Sequence, residues 1–160
     1  MKQETLFTLD TPYRQSFNIE GFRFGRGEKC CAIVGAIRGN EIQQMYTCSL
    51  LIRELKRLEQ QGAIKNEILV IPCVNQFSMN VGSRFWAMDN TDINRMFPGY
   101  DRGETTQRIA DAVFPPFRTI PMAFSSPVSM YKASLFLMSV SCIPDMKTRA
   151  LRIFSVCRMY

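Results

Sequence analysis

Between Asp89 and Arg95 the chain sets two acids, two amides and a guanidinium within seven residues (Asp89, Asn90, Asp92, Asn94, Arg95), then closes on Phe97-Pro98-Gly99, which is turn chemistry. A guanidinium is a planar fork of donors matched to a carboxylate, and neighbouring Asp and Asn side chains can hold such a fork in place. Arg95 is therefore a candidate carboxylate-binding group. The same residues also read as a polar turn stabilised by its own Asx hydrogen bonds. A second segment, Gly35-Ala36-Ile37-Arg38-Gly39-Asn40-Glu41, places an arginine three residues before a glutamate, which is a candidate ion pair or anion site.

The elements that must carry these segments follow from periodicity. Phe7, Leu9, Tyr13, Phe17, Ile19, Phe22 and Phe24 alternate loosely with polar residues up to Gly27, as short antiparallel strands do. The apolar run Cys30 to Ala36 reads as a buried strand of a mainly parallel sheet. A long helix follows, with Ile42, Met45, Leu50, Leu51, Leu55 and Leu58 as its apolar stripe, Arg53, Glu54, Lys56, Arg57 and Glu59 as its wet face, and Gln60-Gln61-Gly62 as its end. Glu67 to Pro72 is a second buried strand, so residues 30 to 72 form one βαβ unit. Ligands of such sheets bind beyond the carboxyl ends of the strands, where both polar segments fall. The connection from Asn75 to Gly99, about twenty-five residues, is itself a functional hint because long structureless loops are uncommon. Within it, Phe85-Trp86-Ala87-Met88 offers apolar walls, although simple core packing is the better reading of Trp86. A further helix runs through Arg108, Ile109, Ala112, Val113 and Phe114.

Composition limits the chemistry. The 160 residues are 46% hydrophobic and 21% charged, enough for one modest core. No window has the length of a membrane-spanning helix, and Met1-Lys2-Gln3-Glu4 opens no signal peptide, so a cytoplasmic protein without membrane partners is expected. The charge of +6 is scattered, without a nucleic-acid-binding motif, so nucleic acid is not expected as a partner. A basic nucleic-acid module is the weakest of the readings weighed. Cys30, Cys31, Cys48, Cys73, Cys142 and Cys157 show no C-x-x-C pairing and read as reduced, buried thiols. Histidine is absent, which removes the commonest imidazole ligand and the commonest general base.

With those elements in place, Asp92-Ile93-Asn94-Arg95-Met96-Phe97-Pro98-Gly99 resembles the D-L-N-R-x-F-P-G signature of the succinylglutamate desuccinylase/aspartoacylase family, a branch of the zinc carboxypeptidase superfamily. Gly35 to Glu41 falls where that family carries G-x-H-G-[D/N]-E. The motifs occur in the family's order and at about its spacing, and the resemblance covers roughly residues 28 to 114. It implies an α/β fold, the N-terminal part of a carboxypeptidase-like, mixed but mainly parallel sheet with flanking helices. It also implies a zinc-dependent hydrolase of amide bonds in small N-acyl amino acids such as succinylglutamate or N-acetylaspartate. By the same resemblance Glu41 is a zinc ligand, while Arg84, Asn94 and Arg95 bind substrate carboxylate. The departure is at Arg38, which stands where the family has its first zinc histidine. A guanidinium has no lone pair to offer a metal. Arg38 instead pairs with Glu41 or with a substrate anion, in a divergent subgroup or in a fold that has lost hydrolysis.

The tail from Pro115 to Tyr160 does not continue the resemblance. It is rich in Ser, Met, Phe and Pro, has Asp145 as its one acid, and shows no helix or strand period. Decoding Thr119 to Thr148 one base out of frame, with third bases chosen freely, yields a string containing I-P-H-V-R that is similar to the family. Pro127 fixes two cytosines, so the shifted codon at the place of the family's second zinc histidine never encodes His. The expected organisation is a partial family domain over 1–114 and a non-family, frame-shifted or disordered tail over 115–160. No catalytic residue is identified, because the distal base of the family falls outside the resemblance. A hydrolase fragment inactive as it stands, and a metal-free binder of small carboxylates, are the two functional readings.

Overall fold

The structure, a computed structural model, describes residues 1–12, 14–27, 30–113 and 122–124. Lys2–Thr11 (β1) and Arg14–Phe24 (β2) form an antiparallel hairpin with register Lys2↔Arg23 to Thr11↔Arg14. These strands are longer than the short ones expected. Cys30–Val34 (β3) pairs in parallel with Glu67–Ile71 (β4), Cys30 opposite Glu67 and Val34 opposite Ile71. Met122–Phe124 (β5) lies parallel to β3 on its other side, Ala32 opposite Met122, and the five strands run in the order β1-β2-β4-β3-β5. Because β2 meets β4 antiparallel, the sheet is mixed, as expected. β5 falls in the tail where no strand period was legible. Three residues are too few to show a period, and the partner strand supplies the hydrogen bonds that define it. The rest of the tail lies outside the described residues.

Alternation on the central strands sorts side chains to two faces. Ala32, Val34, Leu69 and Ile71 share one face with Phe17, Ile19, Ile37, Val74, Trp86, Ile93, Ile109 and Val113. Cys31, Ile33, Ile68 and Val70 share the other with Phe24, Cys48 and Leu55. That second face is covered by the helix Ile42–Gln60 (α1). Its stripe differs from the one read from hydrophobicity. Gln44, Cys48, Leu55 and Leu58 are buried and Leu51 is half-buried, whereas Ile42 is 52% exposed. Met45, Leu50, Leu51, Leu55 and Leu58 of the expected stripe are buried or half-buried, and the difference lies in the first turn, where the amide of Gln44 rather than Ile42 points inward. There its Oε1 accepts a hydrogen bond from the Ala36 N–H at 2.9 Å. Gly62, with φ 66, follows the end of α1 as expected.

The connection after β4 is more ordered than a structureless loop. It holds a short helix, Gln76–Asn80 (α2), capped by Asn75 Oδ1 accepting from the Ser78 N–H at 3.2 Å, and a 3-10 turn at Ile93–Arg95. Trp86 is fully buried, with Phe17 and Phe77 rings at 5.4 and 5.6 Å, so its role is core packing. The helix Thr105–Val113 (α3) buries Ile109, Ala110 and Val113. Gln107 Oε1 accepts from the Glu104 N–H at 3.0 Å, half of a capping box that closes the start of α3.

Candidate functional site

Because β3 and β4 are parallel, the segments leaving their C-terminal ends emerge on the same side of the sheet. They are tied at once: the Ala36 carbonyl accepts from the N–H groups of Val74 (3.3 Å) and Asn75 (3.0 Å). Ala36 itself has φ 45, a left-handed conformation uncommon for a residue with a Cβ. That conformation ends β3 at Val34, short of the expected Ala36, and redirects the chain into the Arg38 segment. Gly39 then passes so close to α2 that a Cβ would lie 2.3 Å from the Ser78 carbonyl carbon. Only glycine permits that approach. Further along, Gly99, with φ 92, backs onto α3, where a Cβ would meet the Asp111 nitrogen at 2.0 Å. Both motif glycines thus press the polar segments onto helices.

The centre of the arrangement is Asp92. Arg38 Nε donates to its Oδ1 and Oδ2 at 3.2 and 3.0 Å, and Arg38 Nη2 lies 2.9 Å from Oδ2. Asp92 Oδ1 also accepts from the Asn94 N–H at 3.1 Å, which caps the 3-10 turn. Arg84 Nη2 stands 3.6 Å from Oδ2, an ion-pair distance longer than a hydrogen bond. On its other side Arg38 Nη1 reaches Glu41 Oε1 at 3.4 Å. The Asp92 carboxylate is 6% exposed and the Arg38 and Glu41 side chains 12% each, so this charge cluster is largely withdrawn from water. The bonded Asp92 carboxylate holds the Arg38 guanidinium above its ordinary pKa, against burial acting in the opposite direction.

Of the residues singled out from sequence, Arg38, Glu41 and Arg84 are brought together, and Asp92 joins them. Asn94 and Arg95 are exposed at the rim. The fork expected to be held beside Asp and Asn side chains was that of Arg95. The carboxylate goes instead to Arg38, from a segment fifty-four residues away, and Arg95 has no ion pair among the described residues. The buried acid is paired with the arginine that follows β3, and the arginine of its own motif is left exposed. Arg84 is 47% exposed and lies 5.6 Å from the Phe85 ring. Asp89 was in the motif, but its role was not legible: its Oδ2 accepts from Thr106 Oγ1 at 2.9 Å and its Oδ1 from the Thr91 N–H at 3.0 Å, tying the loop to α3. A threonine pair opening a helix was the available signal.

Zinc, implied by the family resemblance, needs nitrogen, sulfur or oxygen donors, typically four in tetrahedral array. Glu41 Oε1 and both Asp92 oxygens face the Arg38 guanidinium, which cannot ligate. The chain has no histidine, and no group of three His, Cys, Asp or Glu among the described residues could hold a metal ion. The residues present do not fit the metal. Cys31, Cys48 and Cys73 are thiols rather than disulfides. Burial pushes the Cys48 thiol up to about 12 and the Cys73 thiol up to about 11, which keeps both protonated near neutrality. Among the described residues, no helix is long and apolar enough to cross a membrane.

This geometry has relatives. The N-alpha-acetyl-L-2,4-diaminobutyric acid deacetylase of Halomonas elongata is 31% identical over 87 residues, 54% of this chain and 24% of the relative. An aspartoacylase family protein from Mesorhizobium loti superposes with a TM-score of 0.60 at 26% identity, covering 69% of this chain and 35% of the other. The ectoine utilization protein EutE of Ruegeria pomeroyi has the same fold, with a TM-score of 0.58 at 22% identity over 68% of this chain and 32% of its own. The chain therefore spans about a quarter of the curated relative and about a third of the solved structures it matches. The model of the succinylglutamate desuccinylase/aspartoacylase catalytic domain matches residues 28–119. With more than half of the chain inside that match and both motifs meeting at the ends of its parallel strands, the protein belongs to the succinylglutamate desuccinylase/aspartoacylase family.

Proposed function

We propose that this protein binds the carboxylate of a small N-acyl amino acid at the C-terminal edge of β3 and β4, through Arg84 and Arg95 with Asn94 beside them, and does not hydrolyse it. The observation that carries the reading is the state of the two loop arginines. Arg95 is exposed and has no ion pair among the described residues, while Arg84 spends only one long contact on Asp92. Both guanidinium forks keep donors for a ligand carboxylate. The ligand class is supported by the family, one of N-acyl amino acid deacylases, and by the relative named as an N-acetyl-diaminobutyrate deacetylase. The absence of turnover is supported by a chain without histidine and by a guanidinium at Arg38, which can act neither as ligand nor as base.

The test is calorimetric titration of the chain with N-acetylaspartate, N-succinylglutamate and N-acetyl-2,4-diaminobutyrate, together with an assay for released amine. At least one ligand is expected to bind, and Arg95→Ala is expected to weaken it tenfold or more, corresponding to a charge-assisted hydrogen bond of roughly 1.5–3 kcal/mol. Equal affinity in parent and variant, or no binding of any ligand by the parent, overturns the reading. Release of amine on addition of zinc would establish the hydrolase reading in its place, with Glu41 as a ligand.

A further inference from the structure

We propose that the Arg38 guanidinium is a built-in cation that excludes divalent metal from this site, holding Glu41 and Asp92 together as a metal ion would. The geometry carries the inference. Two carboxylates from different segments, one after β3 and one from the loop after β4, converge on a single group. Left alone, that pair of largely buried acids would repel and would be costly to desolvate. Arg38 spans them, with three contacts to Asp92 at 2.9–3.2 Å and one to Glu41 at 3.4 Å, and is itself only 12% exposed. Its planar, delocalised and permanently charged head suits a buried ion pair. A metal seated between these acids would meet the guanidinium at contact distance, and like charges at such range in a poorly hydrated site repel strongly. Arg84, on the outer side of Asp92, adds to that field. The inference concerns the floor beneath the carboxylate site and does not require that any carboxylate bind there.

Two measurements test it without a ligand. The first is zinc content after equilibrium dialysis of the full chain, set beside Glu41→Gln. Zinc absent from both, or held equally by both through thiols elsewhere, supports exclusion. Zinc held by the parent and lost in Glu41→Gln overturns it. The second is the melting temperature of Arg38→Ala with and without magnesium chloride, against sodium chloride of equal ionic strength. Removing the guanidinium leaves Asp92 with only the long Arg84 contact to offset its charge and takes away the cation beside Glu41, so Tm is expected to fall by roughly 5–10 °C. About 10 mM magnesium is expected to recover part of that loss by mass action where sodium does not. An unchanged Tm, or recovery equal in the two salts, overturns the proposal. Where Arg38→Ala fails to fold, Arg38→Lys, which keeps the charge without the fork, is expected to fold and to melt below the parent. A Tm at or above the parent's would count against the fork as the binding element.

Discussion

The floor and the rim of the site are built from neighbouring residues of one motif, yet they behave as opposites. On the floor, Asp92 is 6% exposed and engaged by Arg38, Arg84 and the Asn94 N–H, with Trp86 and Ile93 buried alongside. On the rim, Asn94 and Arg95, the next polar side chains in the chain, point to solvent. Asp92 stands just outside the 3-10 turn as its cap, extended at φ −82 and ψ 104, and turns its carboxylate back to the Asn94 N–H, while Asn94 and Arg95 lie within the turn and are exposed. The lesson is that polar density in a motif does not mean that every polar residue faces the ligand. Some of it holds the loop, and only the part left unpaired is available for binding.

The sharpest way to break the floor is Trp86→Ala. Trp86 is fully buried among Phe17 and Phe77, and its truncation is expected to cost about 3–5 kcal/mol in chemical denaturation. A loss under about 1 kcal/mol would mean that the loop is not part of the core. Next is Asp92→Asn, which keeps an oxygen for the Asn94 N–H but removes the charge that Arg38 faces. About 2–3 kcal/mol is expected, since one partner of a buried pair is left behind. The rim should respond in the opposite sense. Arg95→Ala is expected to leave stability within about 0.5 kcal/mol of the parent while reducing ligand affinity as described above, so a large stability loss there would erase the distinction between floor and rim.

At neutral pH the buried thiols have no such effect, and theirs appears only in alkali. Cys48 is raised to about 12 and Cys73 to about 11, both by burial, whereas an unfolded thiol ionises near 8.5. The folded state therefore holds these protons more tightly. That stabilisation is complete below the unfolded pKa and is lost as pH rises towards the folded values. Unfolding free energy is expected to decline between about pH 9 and 12, and Cys48→Ala should flatten the slope. An identical slope in parent and variant would mean that Cys48 ionises in the folded protein as readily as in the unfolded one.

Much of this was legible in order along the chain. The βαβ unit, α3 and the turn at Phe97-Pro98-Gly99 rest on contacts close in sequence, where periodicity and turn residues carry the information. The stripe of α1 was read correctly from Met45 to Leu58 and missed only at the first turn, where hydrophobicity favoured Ile42 over Gln44. Burial is set by the sheet the helix meets and by the Ala36 N–H that needs an acceptor. β5 was missed because three residues take their identity from β3 rather than from themselves.

The amino-acid sequence by itself determined the family, the absence of histidine and the set of charged groups that meet at the strand ends, since each depends only on which residues occur and at what spacing. The pairing among those groups was decided only by the tertiary structure. Arg38 and Arg95 have equal chemical claim on Asp92, and no local rule chooses between them. The parallel pairing of β3 with β4, with Gly39 pressed against α2, brings Arg38 to the Asp92 carboxylate, while Arg95, inside the 3-10 turn, is exposed. Arg38, the Asn94 N–H and the longer Arg84 contact occupy both Asp92 oxygens, and Arg95 is left facing water.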